Sequence, residues 1–382
     1  MLMNDYRSPW LTPELDTFRE TTRRFWHGEL LPHVDRWEKQ GYIDREVWHR
    51  LGHLGLLLAD VPAAYGGGGG DYRHLASLIE VSATAGFGLG FGPHYIVAQY
   101  LLAYASEAQK QRWLPKLASG EMVASIAMSE PGAGSDLAAL RTTARREGEH
   151  YVINGAKTFN TNGHHADLIL IAAKTDPAKG ARGVSLIVAE TKELPGFRRG
   201  RLLDKIGLKA QDTLELFFDD MRVPAENLVG GAEGLGFGQM MEQLPYERTT
   251  IAIRAVASTE RALALTLDHV KTRQLFGNPL LKMQNTRFEM SEMKTQASLA
   301  RVFIDQCIQW QLEGRLDAPT AAMAKLWSTE NECQTIDRCL QLFGGYGFMR
   351  EFPIARMYVD SRAQRIYGGA NEVMKEIIAR QL

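Results

Sequence analysis

The run Thr213-Leu-Glu-Leu-Phe-Phe218 decides the fold class. Leu214, Leu216 and Phe218 alternate with Thr213, Glu215 and Phe217, the two-residue period of a half-buried strand. Upstream of it, Tyr151 to Asn154, Leu168 to Ala173 and Val184 to Ala189 read as further short β-like runs. Turn pairs such as Asn154-Gly155 and Pro195-Gly196 separate them. Farther out in both directions the period lengthens to three and four residues. Leu15, Phe18, Thr22 and Phe25-Trp26 recur at helical steps, as does Ile96 to Leu102. Leu263, Leu267 and Val270 form one later stripe, and Ile336, Leu340 and Phe343 another. The expected layout is mainly α with a β domain: helices, a small β domain after them, then more helices.

Bulk properties bound the function. The chain has 382 residues, enough for two or three domains around a large core. Lys plus Arg number 44 against 45 Asp plus Glu, so the basic excess of a nucleic-acid binder is missing. No apolar run approaches the roughly eighteen residues of a membrane span. Met1 to Trp10 shows neither a signal peptide nor an Arg-rich transit pattern. Three cysteines argue for free thiols in a reducing compartment. A soluble, cytoplasmic protein is expected; a mitochondrial matrix location requires that a transit peptide has been removed.

Several motifs are weak by themselves. Gly66 to Gly70 lacks the Lys-Ser/Thr of a phosphate loop and reads as a flexible, solvated turn. Gly86, Gly88, Gly90 and Gly92 sit between helical patterns, which favours packing or a substrate tunnel over a dinucleotide fingerprint. His164-His165 has no further ligands at metal spacing, so no metal is expected. Cys333 and Cys339 fall on an apolar helical stripe and read as buried thiols. No Gly-x-Ser-x-Gly elbow is present.

The stretch Ala127-Met-Ser-Glu-Pro-Gly-Ala-Gly-Ser-Asp136 is different in kind. It offers backbone N–H groups and small hydroxyls to a phosphate or to something planar and polar. By itself it is equally an elaborate turn. With Gln341, Gly344-Gly345, Gly347-Phe348, Glu351, Arg356 and Asp360, however, it closely resembles the paired signatures of the acyl-CoA dehydrogenase family. Phe159-Asn-Thr-Asn-Gly163 is similar to that family's flavin-facing strand. Arg273, Phe276-Gly277 and Gln284 are similar to its cofactor-binding helix pair. The resemblance runs from about Leu15 to the C-terminus.

The resemblance implies the acyl-CoA dehydrogenase fold: an N-terminal helical domain (1–121), a middle β-barrel-like domain (122–231) and a C-terminal four-helix bundle (232–382). It implies FAD as cofactor. Met128, Ser129, Phe159 and Thr161 are then expected at the isoalloxazine, and Gly134 and Ser135 where cofactor and CoA meet. Arg273, Phe276, Gln284, Gln341 and Gly345 are expected to hold the adenosine and pyrophosphate across a dimer contact. Ala370 and Glu372 end the cofactor-contacting turn. An electron-transfer flavoprotein as acceptor and a homotetramer built from dimers are implied as well. The protein supplies orientation and electrostatics; the redox chemistry is the flavin's.

Removing a proton α to a thioester needs a carboxylate whose acidity dehydration has weakened. Most family members place a glutamate after the tyrosine of the penultimate turn, but here Ile366-Tyr-Gly-Gly-Ala-Asn-Glu372 puts Gly368 in that position. The long-chain and isovaleryl branches carry the base on the first long helix of the C-terminal domain. Leu244-Pro-Tyr-Glu-Arg248 matches that branch, with Glu247 as base; the plainer reading of Glu247 is a first-turn acid complementing a helix dipole. Pro245 is expected to start or kink the helix near Glu247. Gly368 is expected to remove a side chain that otherwise collides with Glu247 or the substrate. Tyr246, Arg248, Tyr367, Gly368 and Ser135 complete the expected substrate contacts. Arg248 meets the CoA portion, orients Glu247, or makes a plain surface ion pair.

The implied reaction takes an acyl-CoA to its trans-2-enoyl-CoA, with a β hydride passing to flavin N5. Asp204 to Thr213 and Tyr367 to Lys375 carry the likeness to the long-chain branch. Two departures stand out: Asn160 replaces an apolar residue and Ala370 a hydroxyl residue. Gly238 and the glycines at 88 to 92 suggest a channel for a medium-to-long or branched chain. A family oxidase or monooxygenase, a catalytically silent CoA- or flavin-binding homologue, and a helical scaffold without cofactor are the competing readings.

Overall fold

A computed structural model describes residues 6–87 and 89–382. The expectations resting on Gly88 and on the first five residues lie outside the described residues.

Six helices come first: α1 (Pro13–Phe25), α2 (Val34–Gln40), α3 (Arg45–His53), α4 (Tyr72–Ala85), α5 (Phe91–Tyr104) and α6 (Glu107–Ala118). Their starts follow local chemistry. Thr12 caps α1 by accepting from the Leu15 N–H, with Pro13 in the first turn. Ser106 and Gln109 form a reciprocal capping box on α6. Leu15, Thr22 and Phe25 form the buried face of α1, as their spacing predicts.

Eight strands follow: β1 (Ala124–Ala127), β2 (Thr143–Glu147), β3 (His150–Thr161), β4 (Leu168–Lys174), β5 (Val184–Glu190), β6 (Phe197–Leu202), β7 (Thr213–Pro224) and β8 (Leu228–Val229). They form one sheet in the order β6-β7-β3-β2-β4-β5-β8, with β1 added parallel to β4. The four sequence runs fall in β3, β4, β5 and β7. Leu214, Leu216 and Phe218 turn into the sheet's own core with Ile153, Ile169 and Ile187.

Three long helices then run through the last third: α7 (Gly236–Thr272), α8 (Gln284–Leu312) and α9 (Ala318–Phe343), followed by α10 (Pro353–Ser361) and α11 (Asn371–Ala379). Leu263, Ile336 and Phe343 bury against Met293 and Ile354. No helix among the described residues is long and apolar enough to cross a membrane.

Two local expectations are corrected. The glycine run 66–70 is not loose: Gly68 N–H donates to Leu58 O, Gly69 N–H to Val61 O and Gly70 N–H to Ala59 O. A Cβ at Gly67 would sit 2.2 Å from Val61 O, so glycine is there for close backbone approach. Pro245 does not start its helix, because α7 begins at Gly236 and continues through the proline.

Candidate active site

Glu247 lies one third of the way along α7 and is only 8% exposed. Tyr100, from the middle of α5 and fully buried, donates its hydroxyl to Glu247 Oε1 at 3.3 Å. Burial pushes the Glu247 carboxyl up to about 7; the Tyr100 hydrogen bond and the Arg248 charge pull the other way. A helix-dipole acid in a first turn would be solvated. This one is eleven residues inside its helix and dehydrated, so that plainer reading does not fit.

Arg248 is also buried, which removes the surface ion pair. Its Nε points at the carbonyl of Gly368 at 3.4 Å. Gly368 has φ +66, and a Cβ there would meet Ile251 Cδ1 at 2.3 Å. The neighbour that a Cβ here would strike is Ile251, which the sequence reading, with its expected collision with Glu247 or the substrate, did not name. Lys325 of α9, wholly buried, donates to the Gly369 carbonyl and to Asn371 Oδ1, both at 2.8 Å. Two cations thus hold successive carbonyls of the turn. The Gly368 N–H has no hydrogen-bond partner among the described residues. Tyr367 accepts from Arg254 Nη1 at 3.4 Å. Tyr246 donates its hydroxyl to Asp60 at 2.9 Å and stacks edge-on with Tyr72.

The Met128–Asp136 loop leaves the end of β1 beside β3. Lys157 of β3, 1% exposed, donates to Met128 O at 3.0 Å and to Glu130 Oε1 at 2.8 Å. The other loop end, through the Arg141 and Thr142 N–H groups, also binds the Glu130 carboxylate. Thr158 N–H donates to Ser129 O. Met128, Ser129, Phe159 and Thr161 are brought together by these bonds. Gln211 donates to the Thr161 hydroxyl at 3.1 Å, leaving that hydroxyl's proton to donate. Asn160 is buried and donates to Leu214 O, so the polar replacement is satisfied inside the sheet. Gly134 and Ser135 are exposed at the loop tip.

A second group gathers at the helix ends. Arg273 lies over the Tyr346 ring at 5.7 Å, which joins the α7 end to Gly345 and the α9 end carrying Gln341. Phe276 and Gln284 stand exposed in the turn into α8. No hydrogen bond or ion pair among the described residues joins this group to the Met128–Thr161 group. Ala370 is the N-cap of α11 without a side-chain cap, and Glu372 is exposed in its first turn.

The surface fits a flat aromatic cofactor. Phe159 is 69% exposed with φ +58, and Phe276 is 89% exposed with φ +50. Exposed aromatics on a strained backbone gain little within this chain and leave apolar faces that a flat ring could cover. A Cβ on Gly132, Gly134, Gly344 or Gly345 would meet nothing within 4 Å, so these segments leave open space for a ligand. The sequence did not single out Tyr100, Lys157, Gln211 or Lys325. Tyr100 is one of several tyrosines on an almost uniformly apolar helix, and buried lysines look in sequence like surface ones.

Family models described as the N-terminal, middle and C-terminal domains of acyl-CoA dehydrogenase match residues 12–121, 125–221 and 234–382. The chain is 43% identical over 373 residues to the mitochondrial long-chain specific acyl-CoA dehydrogenase of Mus musculus, covering 97% of this chain and 86% of that one. It resembles the crystal structure of an acyl-CoA dehydrogenase from Geobacillus kaustophilus, with a TM-score of 0.96, 45% identity and coverage of 98% and 99%. It also resembles a chain in a structure described as the electron transferring flavoprotein of Acidaminococcus fermentans, with a TM-score of 0.91, 32% identity and coverage of 97% and 98%.

Proposed function

The chain belongs to the acyl-CoA dehydrogenase family, an FAD-dependent group of enzymes that oxidise acyl-CoAs, and from that premise we propose that Glu247 is its α-proton base. The observation that carries this reading is a carboxylate 8% exposed and raised by burial to about 7, on the helix whose next residue, Arg248, holds the Gly368 carbonyl. Bound FAD supplies the hydride acceptor. The protein's own work is to take the α proton onto Glu247 and to offer the Gly368 N–H to the thioester oxygen as negative charge grows there. Arg248 and Lys325 fix the turn that aims that N–H. Met128, Ser129, Phe159 and Thr161 orient the ring; Arg273, Phe276, Gln284, Gln341 and Gly345 hold the rest of the cofactor across a contact between subunits. Tyr246 and Tyr367 shape the substrate cleft from behind, their hydroxyls already committed to Asp60 and Arg254.

In this reading the chain divides into three parts at residues 121 and 231, and the Tyr100–Glu247 hydrogen bond joins the first part to the third. The acyl group of this reading is medium-to-long or branched. Its support is the likeness to a long-chain enzyme. An electron-transfer flavoprotein is the acceptor, supported by the Acidaminococcus likeness.

The test is anaerobic mixing of FAD-loaded protein with a long-chain acyl-CoA. Wild type bleaches the flavin. Glu247→Gln is expected to lose on the order of a hundredfold in rate, the usual range for a general base. Bleaching at the wild-type rate in that variant rejects the assignment, and peak activity on butyryl-CoA rejects the chain-length reading.

A further inference from the structure

The carboxylate of Glu247 receives one protein hydrogen bond among the described residues, and it comes from a different part of the chain. Tyr100 OH to Glu247 Oε1 spans 147 positions in sequence, from α5 to α7. The tyrosine is fully buried and the glutamate nearly so, so water does not compete for either group. Tyr100 keeps its proton throughout the working range, because burial and the neighbouring carboxylate raise its pKa well above the ordinary phenol value. It is therefore always a donor here.

We propose that Tyr100 is a positioning residue for the proton-abstracting base, holding Oε1 of Glu247 so that Oε2 alone faces the substrate α-carbon. This rests on the reading of Glu247 as base. A single directed hydrogen bond does two things to a carboxylate. It fixes the rotamer, so the second oxygen meets the C–H bond without a search. It also favours the ionised form, which offsets part of the burial that pushes Glu247 up to about 7. Without it the base would be protonated over more of the neutral range and free to swing. The other titratable or charged groups around the pair have their own partners. Tyr104 of α5 donates to Glu242, Tyr246 of α7 to Asp60, Arg248 to the Gly368 carbonyl, and Lys325 of α9 to Gly369 and Asn371. Tyr100 thus lets the N-terminal helices set the acidity of a base carried by the C-terminal ones.

The experiment compares the pH dependence of anaerobic flavin bleaching in FAD-loaded wild type, Tyr100→Phe and a variant with difluorotyrosine at position 100. Phenylalanine deletes one oxygen, and the fluorinated ring donates a stronger hydrogen bond. Tyr100→Phe is expected to move the acid limb up by about half a pH unit, a roughly threefold rate loss on its acidic side, with recovery at alkaline pH and KM little changed. Difluorotyrosine is expected to move it down. Infrared titration gives a readout independent of turnover: the protonated-carboxyl stretch that Glu247→Gln removes should persist to higher pH in Tyr100→Phe. An unmoved limb and an unmoved stretch overturn the proposal, as does a loss equal at every pH, which marks a merely structural tyrosine. Glu247→Gln with wild-type bleaching overturns the base reading itself, a result distinct from failure at Tyr100 alone.

Discussion

At the scale of single residues, the dehydrated carboxylate of Glu247 makes two linked predictions. A base works only when ionised, so proton removal should rise with pH through about 7 and fall away below it. The same shift acts on stability with the opposite sense. Glu247 holds its proton more tightly folded than unfolded, so its contribution is fully present below the ordinary value of 4.5 and is lost as pH rises through about 7. Denaturant midpoints measured across that window should fall less steeply with pH in Glu247→Gln than in wild type; equal slopes contradict the shift. Gly368 gives a third prediction. Gly368→Ala forces an L side chain to φ +66, at a cost of about 1–2 kcal/mol, and drives it into Ile251 Cδ1. Bleaching should slow while the fold survives, and Ile251→Ala added to it should restore part of the rate. No recovery would mean that backbone strain, not the clash, is what slows it.

At the scale of elements, the loop after β1 is held by one buried pair. Lys157 and Glu130 are 2.8 Å apart, and Glu130 also receives the Arg141 and Thr142 N–H groups. Burial lowers the Lys157 ammonium to about 8, against the pull of Glu130. Glu130→Ala strands that cation and frees both loop ends at once, so a loss of about 3–5 kcal/mol is expected in chemical denaturation. FAD should bind more weakly in the same variant, since Met128 and Ser129 ride on this loop. Unchanged FAD affinity would separate the loop from the cofactor.

At the scale of the whole molecule, Arg301 ties the helical layers together. From α8 it binds Glu80 of α4, Glu260 of α7 and Asp305 on its own helix, while Arg19 of α1 binds Glu80 from the other side. Arg301→Ala leaves three acids without their shared partner, and a loss of about 3–5 kcal/mol is expected at neutral pH. The penalty should shrink as pH falls, because carboxylates deprived of the guanidinium protonate more readily. A penalty independent of pH would show that lost packing, and not lost charge pairing, is responsible.

The period of the apolar residues was enough to place helices, a β domain and helices in order, since local burial on one face needs only regular spacing. Glu247 came forward as the candidate base through the resemblance, which leaves Gly368 at the usual base position and matches Leu244 to Arg248 to the branch that carries the acid on the long helix. What spacing cannot encode is which side chains meet across 147 residues, and so Tyr100 against Glu247, Lys325 against the glycine turn and Lys157 beneath the loop emerged only from the packed chain. Folding decided them, because removal of water obliges a buried charge to find its partners among groups distant in sequence.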